Sequence, residues 1–185
     1  MIIDGFVLGI LVAKIRGGKF RDLLNVELGS LWLIVLAFLL QYAIIIFNPS
    51  FLNFAVPLSY GLLLLFSYLN RNQLGFRWIQ TGLFLNLLVM TANGGRMPVD
   101  ASVVGQFAPE KLSSLSAGES GKHIAMSSDT HLNLLGDIFY LHAPYPHEVL
   151  VSLGDILFSV GVFIFIQKVM VKRRSPIQGS VVNGT

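Results

Sequence analysis

The chain has 185 residues, 54% of them hydrophobic and only 12% charged, with a mean hydropathy of +0.68. Soluble domains are roughly 45–50% apolar and 25% charged, so this composition is that of a membrane protein, and the length suits one compact bundle. The absence of cysteine excludes disulfides, thiolate metal sites and thiol nucleophiles, and a net charge of +3 carried beside apolar segments speaks for membrane orientation rather than nucleic-acid binding.

A helix that crosses the hydrocarbon layer needs about 20 apolar residues, or somewhat fewer where flanking side chains snorkel. The first candidate, residues 2–15 (IIDGFVLGILVAKI), is short, and Asp4 and Lys14 must reach toward the interfaces. Its positive charges, Lys14, Arg16, Lys19 and Arg21, come after it, opposite to a secretory signal peptide, so the segment reads as an uncleaved first helix. Residues 30–47, 54–69, 77–92 and 147–167 follow as four further spans. The expected fold is an all-α transmembrane bundle of five spans in a single integral membrane domain, residues 1–174. With the first loop in the cytoplasm, ten of thirteen basic residues fall on that side and Arg96, Lys111 and Lys122 on the other. The N-terminus is then outside and the C-terminus cytoplasmic. If the first segment only lies on the surface, four spans remain and the N-terminus is inside.

Residues 93–146 form an outer loop too long for a plain connection. Its middle, 112–121 (LSSLSAGESG), reads as a flexible linker, and 130–141 (THLNLLGDIFYL) is apolar enough to lie on or dip into the membrane. The tail, 175–185, reads as disordered.

Polar residues inside apolar segments carry the functional signal. Asp155 lies eight residues after His147, which puts it about 12 Å below the outer end of a helix starting there. A carboxylate at that depth needs a partner or a proton; it serves either a relay, catalysis or a ligand, or simply a hydrogen bond between helices. Arg96, in NGGRMPV, is the first candidate partner, since its permanent charge pairs bidentately with a carboxylate or a lipid phosphate; the alternative is a snorkelling arginine after a helix end. Asn86 and Asn93, two turns apart, can share one polar stripe. Asp137, in the first of two LGDI strings, is the possible second member of a carboxylate dyad with Asp155. His123, His131, His142 and His147 show no metal-ligand spacing, so no metal site is expected. Lys122 and His123 precede the apolar loop segment, where they can hold an anionic headgroup or pair with Asp137. Gly154 and Gly161, with Ser152 and Ser159, give the last span a small-residue face for close packing.

RGGKFRDL, NGGRMPV, GKHIAM with DTHLNLLGDIF, and PYPHEVLVSLGDILFSVGVFIFIQ occur in this order, and the likeness they carry runs from about residue 2 to 167. In these motifs the chain resembles a bacterial family of small multi-pass membrane proteins, domain of unknown function 5317. The resemblance implies a bacterial cytoplasmic membrane and places Asn93, Gly94, Gly95, Arg96, Pro98, Lys122, His123, Asp137 and Asp155 in the family's pattern. It implies no activity and no cofactor.

Three functions fit these residues. One is binding of a lipid headgroup, quinone or other small polar molecule in an outer-facing pocket built from Asn93, Arg96, Lys122 and His123 with the two aspartates. Another is a membrane-embedded hydrolase or transferase using Asp137 and Asp155, and the third is an accessory subunit. The bilayer is the expected partner in each, with a second copy or a membrane partner protein completing so small a chain.

Overall fold

The computed structural model describes residues 2–47, 52–117, 120–145 and 148–171. Among these, the long elements are all helices: α1 (Ile2–Ile15), α3 (Trp32–Phe47), α4 (Leu52–Leu69), α5 (Phe76–Ala92) and α8 (Leu153–Met170), with a short α2 (Phe20–Leu24) after the first. Four of them fall within a residue or two of the segments that hydropathy picks out. Among the described residues one helix, α8, is long and apolar enough by itself to cross a membrane; α3 and α4 contain shorter apolar stretches.

α8 lies at the centre, with α1 on one side and α5 on the other, and α4 and α3 continue the row beyond α5. Gly75 of the turn before α5 meets Gly161 and Phe165, and Gly82 meets Gly154 and Phe158, so α5 and α8 are antiparallel. Gly5 meets Ser159 and Gly9 meets Ile166, so α1 and α8 run parallel. A Cβ on Gly161 would lie 2.6 Å from the Ile79 amide nitrogen and 2.7 Å from the Gly75 carbonyl oxygen, which only glycine permits. The two glycines of α8 thus pack as its small-residue face predicts, while Ser159 turns to α1.

The interior is apolar along most of this row. Leu33, Phe66, Phe76, Ile79 and Leu83 form one cluster, with Phe76 edge-on to Phe165 at 5.3 Å, and Ala13, Ile166 and Met170 form another between α1 and α8. At the end of the bundle bearing Arg16, Arg71 and Lys168, the Asn70 amide clamps the backbone of Gly29, donating at 3.0 Å and accepting at 2.9 Å.

The other end carries the head, residues 93–152. Gly94 and Gly95 stop α5 with φ of 63° and 80°, and the Gly95 amide donates back to Met90 at 2.8 Å, the left-handed exit that glycine makes cheap. The chain then enters β1 (Met97–Val99), α6 (Ala101–Phe107), a 3-10 turn (Pro109–Lys111), α7 (Leu112–Ser116), β2 (His123–Ala125), a second 3-10 turn (Asn133–Leu135), β3 (Phe139–Leu141) and β4 (Val149–Val151). β1 pairs in parallel with β2, and β3 antiparallel with β4. Val99, Val104, Ala108, Leu115 and Leu150 give the head a core of its own.

Three sequence expectations change here. Residues 112–121 are not a plain linker: Leu112–Ser116 is helical because burying Leu115 in the head core offsets the cost of ordering a short helix. The segment 130–141 holds a 3-10 turn and a strand, with Leu134 still 81% exposed. The last helix begins at Leu153 rather than 147, because Val149–Val151 pairs with β3 and Ser152 caps the helix. Asp155 is therefore in the first turn of α8, not two turns inside it. His147 and the 175–185 tail lie outside the described residues.

Candidate functional site

β1 is the element that assembles the site. On one side the Met97 amide donates to the Lys122 carbonyl at 2.7 Å and the Met126 amide to Val99 at 2.9 Å, which holds Lys122 and His123 along it. On the other, the Asp137 amide donates to the Pro98 carbonyl at 2.9 Å, and the Asp100 amide to the Asp137 carbonyl at 3.2 Å. A Cβ on Gly136 would strike that same Pro98 oxygen, so glycine is what lets the GD pair approach β1. NGGRMPV thus lies between GKHIAM and LGDI, and three motifs far apart in sequence become neighbours.

The result is a His123–Asp137 pair, Nε2 to Oδ2 at 3.7 Å, with the carboxylate side chain 9% exposed and the imidazole 49%. Asp137 Oδ1 is buried and has no hydrogen-bond partner among the described residues. Burial foremost, with the Asp155 charge adding to it, pushes the Asp137 carboxyl up to about 8. Burial and the neighbouring Lys122 charge push the His123 imidazole down from its usual value. At neutral pH the site therefore holds a protonated carboxyl beside an uncharged imidazole: a proton donor and a proton acceptor with little net charge.

Both residues line a cavity of about 340 Å³. Its apolar wall comes from Val104, Phe107, Leu115 and Leu150, and Lys111, Ser120 and Glu148 add polar groups.

Beneath the head is a second polar cluster. The Asn86 amide nitrogen donates to Asp155 Oδ1 at 2.8 Å, and its oxygen accepts from the Ser152 hydroxyl at 2.9 Å. Ser152 and Asp155 close a capping box, the Ser152 hydroxyl accepting from the Asp155 amide at 3.0 Å and Asp155 Oδ2 from the Ser152 amide at 3.5 Å. Asn86 and Ser152 thus both hold Asp155, and neither is the partner that the sequence suggests first. The Tyr60 side chain hydrogen-bonds Asn86 as well. Lys122 reaches down from the head to donate to Gln41 Oε1 at 2.8 Å, and Gln41 donates to the Ser59 hydroxyl at 2.8 Å. Burial lowers the Lys122 ammonium's pKa, and the Asp155 charge offsets part of that.

Of the six residues singled out from sequence, His123 and Asp137 line the cavity, whereas Asn93, Arg96, Lys122 and Asp155 do not. Asn93 is a backbone clamp: its amide donates to the His131 carbonyl at 2.8 Å and accepts from the His131 amide at 2.8 Å. Arg96 is half-buried in the turn leading into β1. Tyr60 and Gln41 escape the sequence reading, and Ser152 enters it only as a small packing residue, although a lone polar residue within an apolar run and an S-x-x-D string ahead of one are both readable signals. Among the described residues, no three His, Asp or Glu side chains are grouped to hold a metal ion.

Residues 25–167 match the family described as a family of unknown function, DUF5317. The chain is also 33% identical over 165 residues, 89% of each chain, to a protein of Thermotoga maritima that carries the name "Uncharacterized protein". The chain belongs to the DUF5317 family. No solved structure matches it. The DUF5317 match ends at Gln167, as the motifs do, but begins beyond RGGKFRDL; it takes in every residue of the His123–Asp137 pair and the Asn86–Ser152–Asp155 cluster.

Proposed function

We propose that the protein is a five-pass membrane protein, N-terminus outside and C-terminus in the cytoplasm, that binds a small molecule in the head cavity. The ligand has a hydrogen-bonding head, such as a lipid headgroup or a quinone carbonyl, and an apolar body. The observation that carries this reading is Asp137: a buried carboxyl with a partnerless oxygen, lining a cavity that is otherwise mostly apolar. Binding sites commonly combine an apolar enclosure with a few convergent polar groups, one of them perturbed in pKa.

Membrane embedding is supported by the outward faces of the bundle, where Leu8, Leu11, Phe38, Leu39, Leu58 and Phe84 are all more than half exposed. Helices of 14 to 18 residues reach across a locally thinned bilayer with snorkelling ends. The basic residues at the end opposite the head support the orientation.

A hydrophobic carbodiimide tests the site, because it adds only to a protonated carboxyl that it can reach. In reconstituted protein it should modify Asp137 at pH 7 and progressively less above pH 8, with Asp137→Asn unlabelled at that position. No labelling of Asp137 at pH 7 would remove the reading. Orientation is tested independently: in a chain without native cysteine, Ser113→Cys should react with an impermeant maleimide from outside intact cells.

A hydrolase or transferase is the second reading, favoured by the contribution of the Asp155 charge to raising Asp137. It requires Asp155→Asn to lower the pH at which Asp137 loses its proton and to abolish turnover while Asn86 contacts survive.

A further inference from the structure

At the end of the bundle remote from the head, a groove of about 710 Å³ opens sideways between α4 and α5. Leu64, Leu65 and Phe84 supply its apolar part; Arg77, Gln80 and Thr81 line it from α5 and Tyr68 from α4. Arg77 is its charged residue, one residue into α5, and it is exposed. A second guanidinium stands beside it: Arg71 lies 4.1 Å over the ring of Tyr68 and donates to the Tyr68 carbonyl at 3.3 Å. The Thr81 hydroxyl is already committed to the Arg77 carbonyl at 2.9 Å. Gln80, one turn beyond Arg77, adds its amide to the same wall.

An amide and a guanidinium on the outward face of a helix are expensive against hydrocarbon and need a polar partner at that depth. We propose that this groove is a binding site for an anionic phospholipid of the inner leaflet. Its phosphate sits against Arg77, with Arg71 adding to the field, its glycerol-ester region meets Gln80, and an acyl chain lies along Leu64, Leu65 and Phe84. Charge complementarity chooses the occupant: the charged groups at the groove are cationic, and basic pockets between helices on the cytoplasmic side suit anionic headgroups. A guanidinium prefers phosphate because two parallel N–H donors match two oxygens. The inference rests on the membrane reading above.

The test is native mass spectrometry of the full chain released from nanodiscs of mixed phosphatidylglycerol and phosphatidylcholine. Wild type should retain one phosphatidylglycerol selectively, and Arg77→Gln should lower that retention at least fivefold. Gln80→Leu should lower it less. Arg16→Gln removes a guanidinium at the same end that donates instead to Gln167 at 2.9 Å, and it should leave retention unchanged. Equal loss in Arg16→Gln, equal retention of phosphatidylcholine by wild type, or displacement by inorganic phosphate would each overturn the proposal. The wild-type lipid comparison decides the matter even if a variant fails to fold. A chain that stays monodisperse in plain buffer defeats the membrane reading itself, whereas one that needs detergent but retains no phosphatidylglycerol defeats this inference alone.

Discussion

The seam between α5 and α8 and the junction of β1 with the rest of the head both bring backbone against backbone, but they do so largely by different means. At the seam, side chains are removed: Gly75, Gly82, Gly154 and Gly161 let two helices touch where their own hydrogen bonds are already made. At the junction, the strands are only three residues long, and hydrogen bonds from Met97, Asp137, Asp100 and Met126 hold what local propensity would not. The seam and Gly136 therefore tolerate no added atom, while the rest of the junction tolerates side-chain change as long as its backbone hydrogen bonds stay intact.

Gly154→Ala should show the largest effect. Its Cβ would fall on the Asn86 amide oxygen and near the Gly82 carbonyl, and both have nowhere to go. We expect a loss of about 3 kcal/mol or more, read as a collapse of the melting temperature in detergent. A Gly154→Ala variant as stable as wild type would mean that the seam is not close-packed.

Asp137→Asn sharpens the comparison from the head side. Asp137 stands at about 8 when folded, against an ordinary 3.8. Between about pH 4 and pH 8 the folded chain keeps a proton that the unfolded chain has lost. Stability must then fall as pH rises through this window and level off above it. The asparagine variant, with nothing to ionise, should be more stable than wild type by several kcal/mol at pH 9, the gap closing toward pH 4. Parallel denaturation curves across that range would contradict the burial of Asp137.

Asn86→Ala joins the two regions, since it strips a partner from both Asp155 and the Ser152 hydroxyl. A cost of about 2 kcal/mol is expected, together with faster amide exchange at residues 152–155. Asp100→Ala should matter least. Asp100 caps α6, its Oδ1 accepting from the Ser102 amide at 3.0 Å and hydroxyl at 2.6 Å, and the loss should be about 1 kcal/mol, felt by α6 alone in hydrogen exchange.

The same contrast explains what could be read from the sequence. Long apolar runs announce α1, α3, α4 and α5 because a helix satisfies its own backbone and needs no information from elsewhere. Val149–Val151 defeats that logic: it is as apolar as the helix after it, and only the pairing with Phe139–Leu141 makes it a strand. The cost of placing Asp155 in an apolar run is legible, yet its depth comes out wrong by the same six residues. His123 and Asp137 each stand out, but that they meet depends on β1 lying between two segments fourteen residues apart, which no local pattern encodes. Gln41 and Tyr60 look like ordinary interruptions of apolar spans until Lys122 and Asn86 give them partners.

Asn86 has a mechanical consequence. It grips the capping box of α8 at both members, holding the Ser152 hydroxyl with its oxygen and the Asp155 carboxylate with its nitrogen. Force applied to β4, which runs directly into Ser152, therefore loads α5 through one amide group before it can unwind the first turn of α8. The wall of the head cavity includes Val149 and Leu150 of β4, so displacing either residue pulls on a tether anchored in the neighbouring helix.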